Sequence, residues 1–310
     1  MTTEKSETAP VTNPRLMQKA DEWFNKEISY AKELGTVGFM ARSMVMATMP
    51  HSKPTTESFL RENGFYSLAM TAHPKIGLPY GAIPRLLMAW MTTEAVRTQE
   101  RELILGDSLS DFMRVLGLLP TGGRWGTISR LKEQMRRLFS CSISCVYDEA
   151  KKDTEEFSVF NITPVEKAHL LWSPKAPEQA TLWKSNILLS QSFFEEITRS
   201  SVVFRLEALK HLKASSMAVD LYLWSTYRNS YIKRKTLIPW EGLQMQFGAG
   251  YPMTAQGKRD FKKRFIEALK RVAVVYPEVR KFELQQDHLL FVPGFSDIPK
   301  ANVLNQSCQK

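Results

Sequence analysis

Apolar residues recur three and four positions apart over residues 14–34, through Leu16, Ala20, Trp23, Phe24 and Ile28, which is the spacing of one helix face. Residues 1–13 before it are polar and too poor in apolar side chains to pack. Over 36–80 the periodicity is punctuated by Pro50, Pro54, Gly64, Pro74, Gly77 and Pro79, leaving room for short extended pieces at 37–41 and 65–70. From residue 84 the pattern sharpens. Pro84 suits the first turn of a helix, where a missing N–H costs nothing, and Leu87, Trp90, Met91 and Val96 carry that helix to about 98. A short strand follows at 102–105. Ser108 is a candidate N-cap for a short helix with Leu109, Phe112, Met113 and Leu116 inward. Residues 117–126 hold four glycines and read as a turn, and a second helix spans 127–140. Alternation at 141–147 and 157–162, split by a charged tip, reads as a hairpin.

The same order returns over 215–293. A helix at 215–230 is apolar nearly all round (Met217, Leu221, Leu223, Trp224, Tyr227), as a helix enclosed by a core is. A strand at 236–238, a short helix at 240–247, a turn at 248–252 and a long helix at 254–275 follow, then strands at 280–284 and 289–292. Between the repeats, 165–172 and 184–190 read as strands and 191–212 as mostly helical. Local residues rhyme too: Leu103-Ile104 precedes Leu109 and Phe112 as Leu237-Ile238 precedes Leu243 and Phe247. Helix, strand, short helix, turn, longer helix, hairpin is the order of a winged helix, whose third helix enters a major groove. The expected fold is therefore α+β, two tandem winged helix-turn-helix domains with an N-terminal helical extension. The expected division is a tail and helix at 1–35, a first domain at 36–200, a second at 201–298 and a tail at 299–310.

Charge changes this picture from architecture to function. The net charge is +10 and the sequence pI about 9.4, which points to an anionic partner. Residues 124–137 are net +4 and 251–271 net +5, and each window coincides with the third helix of one repeat. At ~100° per residue, Phe261, Phe265, Ala268, Leu269 and Val272 form one stripe, and Ile128, Leu131, Met135 and Phe139 another. Cations fall mostly away from both. The candidate DNA contacts are Arg124, Arg130, Arg136 and Arg137 in the first repeat, and Gln256, Lys258, Arg259, Lys262, Lys263 and Arg264 in the second. Lys262, Lys263 and Arg264 suit phosphates, which set register, whereas Arg259 and Gln256 suit guanine and adenine edges. Arg228, Lys233, Arg234 and Lys235 form a further cluster, either a phosphate grip or a solvated loop.

Other chemistry finds little footing. His51, His73, His169, His211 and His288 are scattered, without the close pair that holds a nickase metal. No phosphate-binding P-loop is present, since Gly257-Lys258 is followed by Arg259, and the glycines near Thr121 suit a tight turn. Glu155-Glu156 and Glu195-Glu196 read as surface charges. Cys141 and Cys145 read as small buried residues rather than a metal pair, and Trp90, Trp224 and Trp240 as core. No catalysis, metal or cofactor is expected. No apolar run approaches the ~18 residues of a spanning helix, and the polar first ten residues cannot be a signal peptide, so the chain is expected in the cytoplasm.

Several blocks carry a resemblance. The run Gly-Leu-Pro-Tyr-Gly-Ala-Ile-Pro-Arg-Leu-Leu-Met-Ala-Trp-Met-Thr-Thr-Glu-Ala-Val-Arg at 77–97 is similar to the signature of plasmid-encoded RepA-type replication proteins. So are Leu-Gly-Asp-Ser-Leu-Ser-Asp-Phe at 105–112, Pro-Thr-Gly-Gly-Arg-Trp-Gly at 120–126 and Arg-Leu-Lys-Glu-Gln-Met-Arg-Arg-Leu-Phe at 130–139. Gly-Phe-Met-Ala-Arg at 38–42, Met-Pro-His at 49–51, Ala-Val-Asp-Leu-Tyr-Leu-Trp at 218–224 and Gln-Phe-Gly at 246–248 resemble it more loosely. The resemblance implies a plasmid replication initiator that binds iteron repeats in double-stranded origin DNA, helps open the origin and recruits the host initiator and replicative helicase. It also implies repression of the chain's own promoter and control of copy number, with a homodimer in equilibrium with monomer. A winged-helix transcriptional repressor without an initiator role is the alternative that the residues leave open.

Overall fold

Two apolar runs, VGFMA and SVVFR, open the two halves of the chain. They form β1 (Val37–Ala41) and β9 (Ser201–Arg205), which pair antiparallel with Phe39 opposite Val203. Unbroken apolar runs suit strands covered on both faces, and every residue of the pair except Arg205 is buried. The computed structural model describes residues 37–150, 155–171, 185–248 and 250–298. The tails and the helix expected at 14–34 lie outside these residues, as does the tip of the hairpin expected at 141–162.

From this strand pair the halves run in parallel order. β1 leads into α1 (Arg42–Met46) and then α2 (Ala82–Thr98). After α2 come β4 (Glu102–Ile104), α3 (Leu109–Val115) and α4 (Thr127–Phe139). β9 leads into α6 (Leu206–Leu212) and α7 (Ser216–Tyr231), then β10 (Thr236–Pro239), α8 (Trp240–Phe247) and α9 (Ala255–Val275). Each half closes with two strands, β7 (Val165–His169) with β8 (Asn186–Leu189), and β11 (Glu283–Leu284) with β12 (His288–Phe291). The two small sheets have matching orders, β4-β8-β7 and β10-β12-β11. Leu103 lies opposite Ile187 as Ile238 lies opposite Leu289, and all four are buried. The cores match as well. Trp90 on α2 meets Phe112 on α3 edge-on at 4.8 Å, and Trp224 on α7 meets Phe247 on α8 edge-on at 5.6 Å.

The halves differ by insertions. β2 (Ser58–Asn63) and β3 (Tyr66–Thr71) precede α2, and β5 (Ser142–Ala150) and β6 (Glu155–Ile162) follow α4. Together they make a four-stranded sheet in the order β2-β3-β5-β6. The hairpin expected at 141–162 therefore forms, but it is not the closing pair of the first repeat. It joins β3, with Leu68 opposite Cys145, because both edges bring buried apolar residues to one face. The counterpart of β11–β12 is β7–β8. The helix expected over 191–212 is also divided into α5 (Gln191–Arg199), β9 and α6, since the β-branched pair Val202-Val203 is drawn into pairing with β1. Glu196, expected at the surface, is buried on α5, where its Oε1 accepts a hydrogen bond from the Ser43 N–H at 3.3 Å and burial raises its pKa.

A charged network locks the halves together. Arg85 on α2, 1% exposed, donates from Nε and Nη2 to the two carboxylate oxygens of Asp220 on α7, both at 2.7 Å. Its other donors reach the carbonyls of Gly81 and Met49, at 2.6 Å each, and Pro50, at 3.2 Å. All five guanidinium N–H groups are thus answered. His51 Nε2 completes the cluster at 2.7 Å from Asp220. Burial favours a neutral Asp220 carboxyl, but the Arg85 charge and the bonds from His51 and Arg85 outweigh it, so its pKa is lowered. Burial lowers the pKa of His51 despite its bond to Asp220, which keeps the ring neutral at pH 7. The irregular segment leading to His51 is held the same way. The Met46 carbonyl accepts from Asn63 Nδ2 at 2.7 Å and Gln246 Nε2 at 3.0 Å, and the Thr48 carbonyl accepts from Arg61 Nε at 3.3 Å. Replacing Asp220 by Ala leaves Arg85 buried without its counter-charge, and we expect a loss of about 3–5 kcal/mol in urea unfolding. A loss below about 1 kcal/mol would show that the halves are held without this pair.

Candidate nucleic-acid interface

α9 begins where Thr254 caps it, its side chain accepting from the Gly257 N–H at 3.2 Å. The first turn presses on the preceding loop so closely that a Cβ on Gly257 would lie 2.0 Å from the Pro252 carbonyl oxygen. Phe261, Phe265, Ala268, Leu269 and Val272 are all buried, as the apolar stripe requires. Phe265 meets Trp240 at 5.5 Å and Phe247 at 5.9 Å. Opposite this stripe Gln256, Arg259, Lys263 and Lys270 are exposed, with Arg264 and Arg271 exposed on an adjoining flank. Arg259 donates from Nε and Nη2 to Gln256 Oε1, at 3.2 and 2.7 Å, which draws the two candidate base-reading side chains together. Lys258 is paired with Glu241 on α8, and Arg264 with Glu267 at 3.1 Å. Lys262 stacks over Trp240 at 4.6 Å and donates to the carbonyls of Gln285 and Gln286 at 2.9 and 3.0 Å. It fastens the helix to the turn between β11 and β12, so hairpin and basic helix share one surface.

On α4, Ile128, Leu131, Met135 and Leu138 are buried while Phe139 is only partly covered. Arg130 and Arg136 are exposed. Lys132 and Arg136, with Lys75 and Ser129, line a depression of about 360 Å³. Arg137 reaches the edge of the same depression but is largely buried. It donates from Nε and Nη2 to Glu133 Oε1 at 3.0 and 2.8 Å and from Nη1 to the Leu78 carbonyl at 3.1 Å, beneath the Tyr80 ring at 5.4 Å. Gly77 makes that possible. Its φ is +84°, and a Cβ there would lie 2.5 Å from Arg137 Nη1. Arg130 and Arg137 are seven positions apart and share one helical direction, yet the 77–80 loop covers only the second.

The glycine turn before α4 is held by side-chain clasps. Thr121 Oγ1 accepts from the Thr127 N–H at 2.9 Å, Thr127 Oγ1 accepts from the Thr121 N–H at 2.9 Å, and Ser129 Oγ donates to the Gly123 carbonyl at 2.9 Å. The turn presents Trp125, 81% exposed, with the Arg124 guanidinium 5.2 Å from its ring centre. Trp125 was not among the residues that spacing selects. Its signal is an aromatic inside a glycine turn with no apolar partner in register. The cluster at 228–235 also separates. Arg228 is buried between Trp224 and Phe291, at 5.0 and 5.3 Å, while Lys233, Arg234 and Lys235 are exposed.

Cys141 and Cys145 are buried free thiols, and burial pushes both pKa values up to about 12. Trp90, Trp224 and Trp240 are buried. Among the described residues no three His, Cys, Asp or Glu side chains are grouped to hold a metal, and no helix is long and apolar enough to cross a membrane.

The family model described as "Plasmid encoded RepA protein" matches residues 78–241, more than half of the chain. The chain belongs to this RepA family. The match runs from the segment over Arg137 through α2, α4 and α7 into the first residues of α8, so it contains Arg85, Asp220, Arg124, Arg130, Arg136 and Arg137. α9 lies beyond it. In overall fold this RepA-family chain is similar to a crystal structure of domain 2 and domain 3 of RctB, with 11% identity and a TM-score of 0.52, over 83% of this chain and 99% of that one. A second crystal structure of RctB domains 2-3 aligns at 12% identity and a TM-score of 0.46, over 79% and 85%. No curated protein sequence matches.

The geometry separates cations by role. Arg137→Ala is expected to lower unfolding stability by about 1–3 kcal/mol, since it strips the Leu78 carbonyl of a buried donor. Arg136→Ala should stay within about 0.5 kcal/mol of the parent. Equal effects in chemical denaturation would contradict the distinction.

Proposed function

We propose that this chain is a plasmid replication initiator that grips double-stranded origin DNA with two winged helix-turn-helix units. α4 and α9 are the recognition helices, and β7–β8 and β11–β12 are the wings. The observation that carries the reading is the duplication itself: the same order of elements occurs twice, and each time the third helix turns cations outward. Membership of the RepA family supports the initiator role. In this reading the chain binds iteron repeats, opens the adjacent duplex, recruits the host initiator and replicative helicase, and represses its own promoter, with dimer and monomer in equilibrium. It performs no catalysis and needs no cofactor.

Phosphate contacts supply most of the affinity and make it salt-dependent. Lys263, Arg130 and Arg136 carry that role. Arg259 and Gln256, coupled to one another near the start of α9, read base edges. Arg137 supports α4 from within and does not touch DNA. Trp125 lies against DNA beside α4, with Arg124 on its face.

The test is a salt titration with duplex containing the repeats beside the chain's own gene, against scrambled duplex. Lys263→Ala should weaken both duplexes alike and reduce the log–log salt slope by ~0.9. Arg259→Ala should instead cost about 1–3 kcal/mol on the repeat and little on scrambled sequence. Equal losses would make Arg259 a phosphate contact, and unchanged binding in both variants would remove α9 from the interface. Trp125→Ala should leave stability within about 0.5 kcal/mol while lowering repeat affinity by roughly 1–3 kcal/mol. Unaltered affinity would leave Trp125 outside the complex.

A further inference from the structure

A groove of about 850 Å³ opens between the halves. One wall is the 50–56 segment with Phe59 and Arg61, and the other is the α9 flank carrying Arg264, Glu267 and Arg271. Ala214, Ser215, Ser216 and Met217, at the N-terminus of the sixteen-residue α7, also line it. Lys53, Arg61, Arg264 and Arg271 line it with one acid, Glu267, which is already paired with Arg264, while the buried Asp220 behind the wall also attracts Arg61. His51, on the same wall, is turned to Asp220.

Arg61 makes this more than a basic cleft. It is 1% exposed and stacks on Phe59 at 5.0 Å, and among the described residues only its Nε has a hydrogen-bond partner, the Thr48 carbonyl. Its Nη1 is buried and has no hydrogen-bond partner among the described residues. A buried cationic donor left unanswered is costly, and burial pulls its pKa down to about 9 although the charge of Asp220 opposes the shift. An anion in the groove would answer it. The α7 N-terminus, where Ser215 Oγ already accepts from the Ala218 N–H at 3.3 Å, adds a positive helix-dipole end in the same place.

We propose that this groove binds a phosphoryl group, held by Arg61 with Arg264, Arg271 and Lys53 around the start of α7. The group is either a free phosphate ester, such as a nucleotide, or a phosphate of bound DNA. The site stands whether or not the outward cations of α4 and α9 bind duplex, since pyrophosphate alone probes it.

The full chain is titrated with pyrophosphate at constant ionic strength, following heat and melting temperature. One saturable site per chain is expected. Arg264→Ala and Arg271→Ala, both on the exposed helix flank, should each weaken it at least fivefold, and Arg61→Gln at least tenfold. If Arg61→Gln fails to fold, the two surface variants carry the test. Duplex DNA that displaces pyrophosphate competitively assigns the phosphoryl group to the DNA backbone. Duplex that leaves pyrophosphate binding unchanged assigns it to a free ester. No saturable binding, or equal binding in the parent, Arg264→Ala and Arg271→Ala, overturns the proposal.

Discussion

The Arg85–Asp220 pair is the constraint on which the arrangement of the two halves depends. Each partner sits on the central helix of a different half, and both are nearly sealed from water. Such a pair does little for net stability relative to a well-packed apolar replacement, because desolvation offsets most of its attraction. Its effect is geometric. Five donors fixed in one plane find five acceptors, three of them carbonyls of Met49, Pro50 and Gly81, so only one placement of α2, α7 and the 49–51 segment satisfies all of them. Sliding either helix by a turn would strand a buried charge. The β1–β9 pair and the contacts of Gln246 with Met46 and Thr48 then add neutral hydrogen bonds across the same seam.

Holding that seam rigid matters for the surfaces it separates. α4 packs on α2, and α9 packs on α7, so the spacing of the two basic helices is inherited from the pairing of their central helices. In the function proposed above, the two basic helices bind as a linked pair only when their separation matches the target. A flexible linker would leave that separation to chance, whereas a buried network sets it. The groove that holds Arg61 is a product of the same seam, since its walls come from opposite halves.

Much of this was legible in the chain. The apolar stripe of α9 and the limits of α8 follow from side-chain spacing and turn residues alone. Family blocks also pointed at Arg85, Asp220 and His51 without giving them a task, because a network joining positions 51, 85 and 220 leaves no local pattern. What was hidden has a common cause in long-range pairing. The 141–162 hairpin alternates as a closing hairpin should, and only the presence of β2–β3 decides that it joins another sheet. The rhyme Leu103-Ile104 with Leu237-Ile238 misleads by one position. Leu103 and Ile238 are the buried equivalents, while Ile104 and Leu237 are exposed, since alternation in each strand sends one residue of the pair outward.

The same distinction governs how the net charge is understood. A cation counts toward an anionic partner only if the fold leaves it facing outward. Arg61, Arg85, Arg137 and Arg228 are all buried, and each has a different reason: an unanswered donor at a groove, a locked ion pair, a carbonyl under a loop, and stacking between two aromatic rings. Sequence windows could not separate these from Arg130, Arg136 or Lys263, because the covering elements come from distant segments. In α4 the 77–80 loop removes one arginine from the outer face, while on α9 the corresponding face stays open along its length. The two helices are therefore unequal despite their common origin in one pattern. α9 turns more cations outward, and α4 has fewer of them together with an exposed indole at its N-terminal turn.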